Sequence, residues 1–302
     1  MSWRAPVRTS GSRGVADNVP SAIGLVAAAA LSIQFGAALA THLFDRVGPA
    51  GAVMLRVTIA AILMVILARP GRRLRHVGRR DLGVAVAFGL VLAGMNLCFY
   101  EAIDRIPLGV AVTLEFSGPL AVALAGSRRW TDGVWAALAG AGVALLATGA
   151  GRHLDPVGLV MALLAGAGWI GYILLSKQTG VRFDARTGLA IAMLSGAVVL
   201  LPVGLAAAGA DLFQPSVLLI AAAVAVLSSV VPYSFELVAL RRVTPRAFGV
   251  MLSLDPAIAA AAGLLVLGQH LTGRELTALA LVVAANLGNA VTGRSGVVAT
   301  TA

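Results

Sequence analysis

The sequence predicts an all-α integral membrane protein of ten transmembrane helices, arranged as two inverted five-helix repeats. Three observations predict it. The first is composition: 59% of the 302 residues are hydrophobic, only 12% are charged, and the mean hydropathy is +0.93. A soluble domain carries about a quarter charged residues, and its surface has to stay polar. The second is spacing. Apolar segments recur at about 20 residues, the length that crosses a bilayer as a helix. The third is charge. Eighteen Lys and Arg fall in alternate loops and tails on one side of the segments, and four on the other. That asymmetry places the basic side, and both termini, in the cytoplasm.

Taken in order, residues 1–19 are polar and basic and read as a cytoplasmic tail. The first span, 20–43, follows a basic start and contains "ALA" at 38–40, as a cleaved leader would. It is nevertheless long enough to span, carries Gln34 and precedes many more spans. Spans then follow at 48–68, with Arg56, and at 82–103, with Asn96, Cys98 and Tyr100. The span 107–127 carries Glu115, Gly118 and Pro119, and 131–149 carries Gly140 and Gly142. The sixth, 156–176, carries Gly166, Gly168, Trp169 and Tyr172. Four more follow at 187–209, 215–239 (with Tyr233), 245–268 (with Asp255 and Pro256) and 272–292, before a cytoplasmic tail at 293–302. The glycines suit close helix packing. Every connection is short, so no soluble domain is inserted. Cys98 is the single cysteine, which excludes an internal disulfide. The excess of arginine is assigned to topology and lipid headgroups, not to nucleic acid.

An internal repeat divides the chain into 20–149 and 156–292. Residues 102–123 match 239–260 at a shift of 137, which sets Ala102, Arg105 and Pro119 on Ala239, Arg242 and Pro256. Earlier, "IGLVAAAALSIQF" matches "VGLVMALLAGAGW" at a shift of 134. Five is an odd number of spans, so the second copy runs upside down relative to the first. Inverted repeats characterise many transporters, with the substrate site near the midplane between the copies.

Three ionisable residues fall inside spans. At 1.5 Å per residue, Glu115 and Arg56 lie ~12 Å from the Arg-poor surface and Asp255 lies ~15 Å from the Arg-rich one. Charged groups at such depth face a partner or a wet cavity and are functional by default. The bland alternative is a structural ion pair of Arg56 with Glu115 or Asp255. Pro119 clashes with the carbonyl of Glu115, and Pro256 with that of Leu252. Each repeat is therefore expected to break a helix at the matched place, beside an acid. Gln34, Asn96, Tyr100, Trp169, Tyr172 and Tyr233 are polar and aromatic candidates for a cavity lining, with an interhelical hydrogen bond or an interfacial anchor as the alternative for each. Glu101 and Glu236 lie near span ends and suit a solvated interface as well as a functional role. No phosphate-binding glycine loop, metal cluster or Cys–His pair is present, so no enzyme, metal or cofactor is expected.

The stretches "GMNLCFYEAIDRIPLGVAVTLEFSGPLAVAL" and "VVPYSFELVALRRVTPRAFGVMLSLDPAIAAAAGLLVLGQHLT" closely resemble the threonine/homoserine exporter branch of the drug/metabolite transporter (EamA-type) superfamily. "SIQFGAALA", "GAVMLR" and "GAGWIGYILL" fit as well, so the resemblance covers about residues 20–292. It implies ten helices in two inverted repeats and proton-dependent efflux of small amino acids from the bacterial cytoplasm. Glu115, Pro119 and Pro256 match the family pattern directly. Asp255 stands where the family often has glutamate. Gln269 stands where glutamate is usual, which speaks against an ion pair there.

The expectation is an inner-membrane secondary transporter for small neutral amino acids, working by alternating access with protons as the coupling ion. Arg56 is the candidate for the cargo carboxylate. Glu115 and Asp255 are candidates for its amine or for the proton. The rival readings are efflux of other metabolites or cationic drugs and, from another class, a non-transporting scaffold or receptor.

Overall fold

The computed structural model describes residues 19–69, 77–125, 130–147, 154–232, 235 and 245–292, and among them every element is helical. The first half contains α1 (Val19–Thr41), α2 (Phe44–Ala68), α3 (Arg79–Arg105), α4 (Leu108–Glu115), α5 (Ser117–Ala125) and α6 (Trp130–Ala147). The second contains α7 (Pro156–Arg182), α8 (Ala185–Ala208), α9 (Pro215–Ala225), α10 (Pro245–Leu252), α11 (Asp255–Leu267) and α12 (Gly273–Thr292). Nine apolar stretches among the described residues are long enough to cross a membrane, counting α4 with α5, and α10 with α11, as one each. The remaining predicted span, 215–239, is seen as α9 running into a π turn at Val226–Val230. Residues 1–18 and 293–302, with Tyr233, Glu236, Arg128, Arg129, Arg241 and Arg242, lie outside the described residues.

Local chemistry sets the ends. Asp155 caps α7, accepting from the N–H groups of Val157 (2.7 Å) and Gly158 (3.2 Å), with Pro156 opening the helix. Thr272 and Glu275 form a capping box on α12. The Glu275 carboxylate accepts from the Thr272 N–H at 2.6 Å, and the Glu275 N–H donates to Thr272 Oγ1 at 3.3 Å. In α2, Gly48 takes φ 66° and ψ 167°, so the continuous helix starts at Pro49, close to the predicted start of that span. Two helices outrun their predicted spans. α3 and α7 are each 27 residues long, and where they leave the apolar zone Arg182 Nε meets Asp81 Oδ1 at 3.1 Å. Hydropathy ends a span at its charges; an ion pair between two neighbours lets both helices continue.

The helices pack across the two halves of the chain. α2 packs on α8, α3 on α7 and α8, α6 on α12, and α4 on α7 and α11. α1 packs on α9 and α11, and α9 also on α2. Small residues make the crossings close, as expected where lipid gives no hydrophobic drive between helices. A Cβ on Gly168 would lie 2.8 Å from that of Met95, and one on Gly142 would lie 2.9 Å from the Ala278 carbonyl oxygen. Gly140 departs from the expectation, because nothing approaches its Cβ position within 4 Å. It lies on an open face of α6.

Candidate functional site

Both expected helix breaks are present. The fourth span is interrupted at Phe116, between α4 and α5, and the ninth at Ser253 and Leu254, between α10 and α11. Pro119 cannot donate to the Glu115 carbonyl, and beside the break Ser117 Oγ donates to the carbonyl of Leu114 at 2.6 Å. The freed Glu115 carbonyl rests on α7, where a Cβ on Gly166 would lie 2.9 Å from it.

The breaks put two acids at one level. α4 runs antiparallel to α11, with Gly109 over Ala260 and Leu108 beside Gly263. Glu115 lies six residues past this crossing and Asp255 five residues before it, so both sit ~8–9 Å from it toward the Arg-rich end. Glu115 closes α4 and is 8% exposed; Asp255 opens α11 and is 4% exposed. The peptide dipoles therefore treat them differently. α4 turns its negative end toward Glu115, and α11 its positive end toward Asp255.

Arg56 is buried, held by Asn96 and stacked on Tyr100. Its Nη2 donates to Asn96 Oδ1, and its guanidinium carbon lies 5.0 Å from the centroid of the Tyr100 ring. Asn96 Nδ2 donates to the Leu92 carbonyl at 2.7 Å, which turns the amide oxygen toward Arg56. Tyr100 is fully buried among Phe44 and Phe99, at 5.7 and 6.3 Å between ring centroids. A desolvated cation–π contact of this kind is worth ~2 kcal/mol. Arg56 Nε and Tyr100 Oη are both buried without a hydrogen-bond partner. The positive charge of Arg56 acts on Glu115, yet the two form no ion pair among the described residues. The alternative of a structural Arg56–Glu115 bridge is thus not what the chain builds.

The other candidates divide. Trp169 packs its ring on Phe116, the break residue, at 4.9 Å, and so belongs to the wall beside Glu115. Gln34 is buried on α1, with no hydrogen bond to its Oε1. Tyr172 packs its ring on Phe88 at 5.2 Å, in a cluster with Leu92 and Ala192. Glu101 bonds Arg105 one turn on, at 2.6 Å and half-exposed, as an interfacial residue would. Tyr233 lies outside the described residues.

Sequence reasoning missed one contact entirely. Gln269 Oε1 accepts from the N–H of Leu108 at 3.0 Å, across 161 residues, and so caps α4 from the far end of α11. A capping signal is normally sought at the helix itself, where Pro107 has nothing to offer. The capping box at Thr272–Glu275, by contrast, has a local signal, T-x-x-E.

The chain is 42% identical to the threonine/homoserine exporter RhtA of Escherichia coli K12 over 278 residues, 91% of this chain and 92% of that protein. It is equally 42% identical to the RhtA of Salmonella typhimurium LT2 over 263 residues, 86% of this chain and 88% of that one. The chain belongs to the threonine/homoserine exporter branch of the EamA superfamily. The pattern of the EamA-like transporter family matches residues 156–290. A solved crystal structure superposes with a TM-score of 0.58, covering 91% of this chain and 99% of that one, at 20% identity; that likeness concerns the fold alone. Membership makes the chain a multi-pass transporter and not an enzyme.

Proposed function

We propose that this exporter moves small neutral amino acids of the threonine and homoserine kind out of the bacterial cytoplasm, across the inner membrane, by proton-coupled alternating access. The observation that carries the reading is a buried Arg56, fixed by Asn96 and Tyr100, that forms no ion pair among the described residues. An uncompensated buried charge is costly, and a planar guanidinium suits a carboxylate. The cargo carboxylate supplies that charge, with Arg56 Nε and Tyr100 Oη as its free donors. The cargo amine goes to Asp255, at the positive end of α11, where a standing anion is stabilised. Glu115, at the negative end of α4, exchanges the proton.

The architecture proposed is a pair of inverted repeats, 20–149 and 156–292, between cytoplasmic tails at 1–19 and 293–302. Support comes from the packing. Exchange of each span for the one five places along turns α3 on α7 into α9 on α1, α3 on α8 into α9 on α2, and α4 on α7 into α10 and α11 on α1. All of these pairs occur.

The test is flux from loaded proteoliposomes. Labelled threonine and homoserine should leave faster when a proton gradient opposes them, and Arg56→Gln should abolish this in a protein that still reconstitutes. Transport of cationic dyes with no amino-acid flux would replace the cargo assignment and leave the fold untouched.

A further inference from the structure

The two breaks do not leave the two ends of the molecule in the same state. Toward the Arg-poor end, α4 lies along α11, and every residue from Leu108 to Phe116 is buried. Toward the Arg-rich end, α5 and α10 form no comparable packed pair among the described residues. There Gly249, Val250, Met251 and Leu252 are only half-buried. The Gln269 contact sits at the closed seam. Gly268 ends α11 in the left-handed region (φ 62°), and the Gln269 N–H turns back to the Gly263 carbonyl at 3.0 Å. That turn throws the Gln269 side chain over Gly263, whose missing Cβ leaves the space it occupies. A Cβ there would lie 2.7 Å from Gln269 Oε1. From this notch the amide oxygen reaches Leu108 N–H, and no side chain of the α4 N-cap residue competes for it.

We infer that Gln269 is the latch of the outer gate: its hydrogen bond to Leu108 holds α4 against α11, and its release opens the site between the breaks to the outside. The inference rests on the alternating-access reading with the Arg-poor end outside. Gln269 touches no cargo. It is a positioning residue that acts through α4, the half-helix that ends in Glu115. The seam it closes contains no lipid-facing residue of α4, so separation of the two helices exposes α4 to water on the outer side.

The test reads accessibility, which needs no knowledge of the cargo. In a Cys98→Ser background, Thr113→Cys places a thiol on buried α4. Intact cells are treated with a charged, membrane-impermeant methanethiosulfonate. With Gln269 in place labelling should be slow. Gln269→Leu should raise its rate several-fold, and Gln269→Glu, which keeps an acceptor oxygen, should restore slow labelling. Equal rates in Gln269 and Gln269→Leu protein would overturn the latch. A second arm, for a Gln269→Leu protein that fails to reach the membrane, tests the seam by itself, since a side chain at 263 takes the space of the Gln269 amide. Leu108→Cys with Gly263→Cys has Cβ positions 3.6 Å apart, within the ~3.5–4.5 Å that a disulfide spans. Oxidation should stop flux and a reductant should restore it. Full flux through the cross-linked seam would equally end the proposal. Failure of the amino-acid cargo assignment would leave the labelling result unchanged.

Discussion

Gly118 of α5 rests directly on the Gly166 carbonyl of α7, with no room for a Cβ between them. This contact fixes where the chain resumes after the break at Phe116, and with it the orientation of Trp169 three residues along α7. Gly118→Val should therefore destabilise the protein by ~1–3 kcal/mol, the usual cost of overpacking, and sharply lower export. Gly140→Ala, on an open face, should raise the melting temperature slightly, since Gly costs a helix ~1 kcal/mol relative to Ala. Thermal unfolding of the two variants in detergent compares them. Equal stability of Gly118→Val and the parent would contradict the close approach.

Asn96 orients Arg56 without needing to touch cargo. Asn96→Leu removes the acceptor that holds the guanidinium, and should raise the KM for amino-acid export about tenfold while protein level holds. Arg56→Lys keeps the charge but loses the planar fork, and should impair export nearly as much as Arg56→Gln. An Arg56→Lys protein with parental KM would show that charge alone suffices.

The two acids at the level of the breaks should separate by function. Glu115→Gln is expected to lose gradient-driven export and keep exchange of labelled for unlabelled cargo. Asp255→Asn should weaken cargo binding in both assays. Normal gradient-driven export by both variants would remove the acids from the mechanism.

Reporter fusions after residues 76, 128, 182, 242 and 296 should read cytoplasmic, and fusions near 46, 153 and 211 periplasmic. A single robust reversal breaks the ten-span order and the inverted repeat together.

The capping box gives a control that touches none of the proposed cargo residues. Thr272→Val should cost ~1 kcal/mol, the typical value of a lost N-cap, without altering the KM.

The sequence by itself determined the helical membrane class, the spans and the two breaks. Each of these follows from near-neighbour physics. Apolar length decides insertion, arginine counts give the expected topology, and a proline removes the bond four residues back whatever surrounds it. Arg56, Glu115 and Asp255 were legible for the same reason, because charge inside an apolar run is conspicuous. The tertiary structure decided what those residues touch. Arg56 took Asn96 and Tyr100 as partners and formed no ion pair with Glu115. The Glu115 carbonyl went to Gly166. Tyr172 joined Phe88. Gln269, which the family pattern marked only as a departure, proved to be the cap of a helix 161 residues away. Such choices depend on which helix faces come together, and the apolar, alanine-rich faces of this chain differ too little in one dimension to say so.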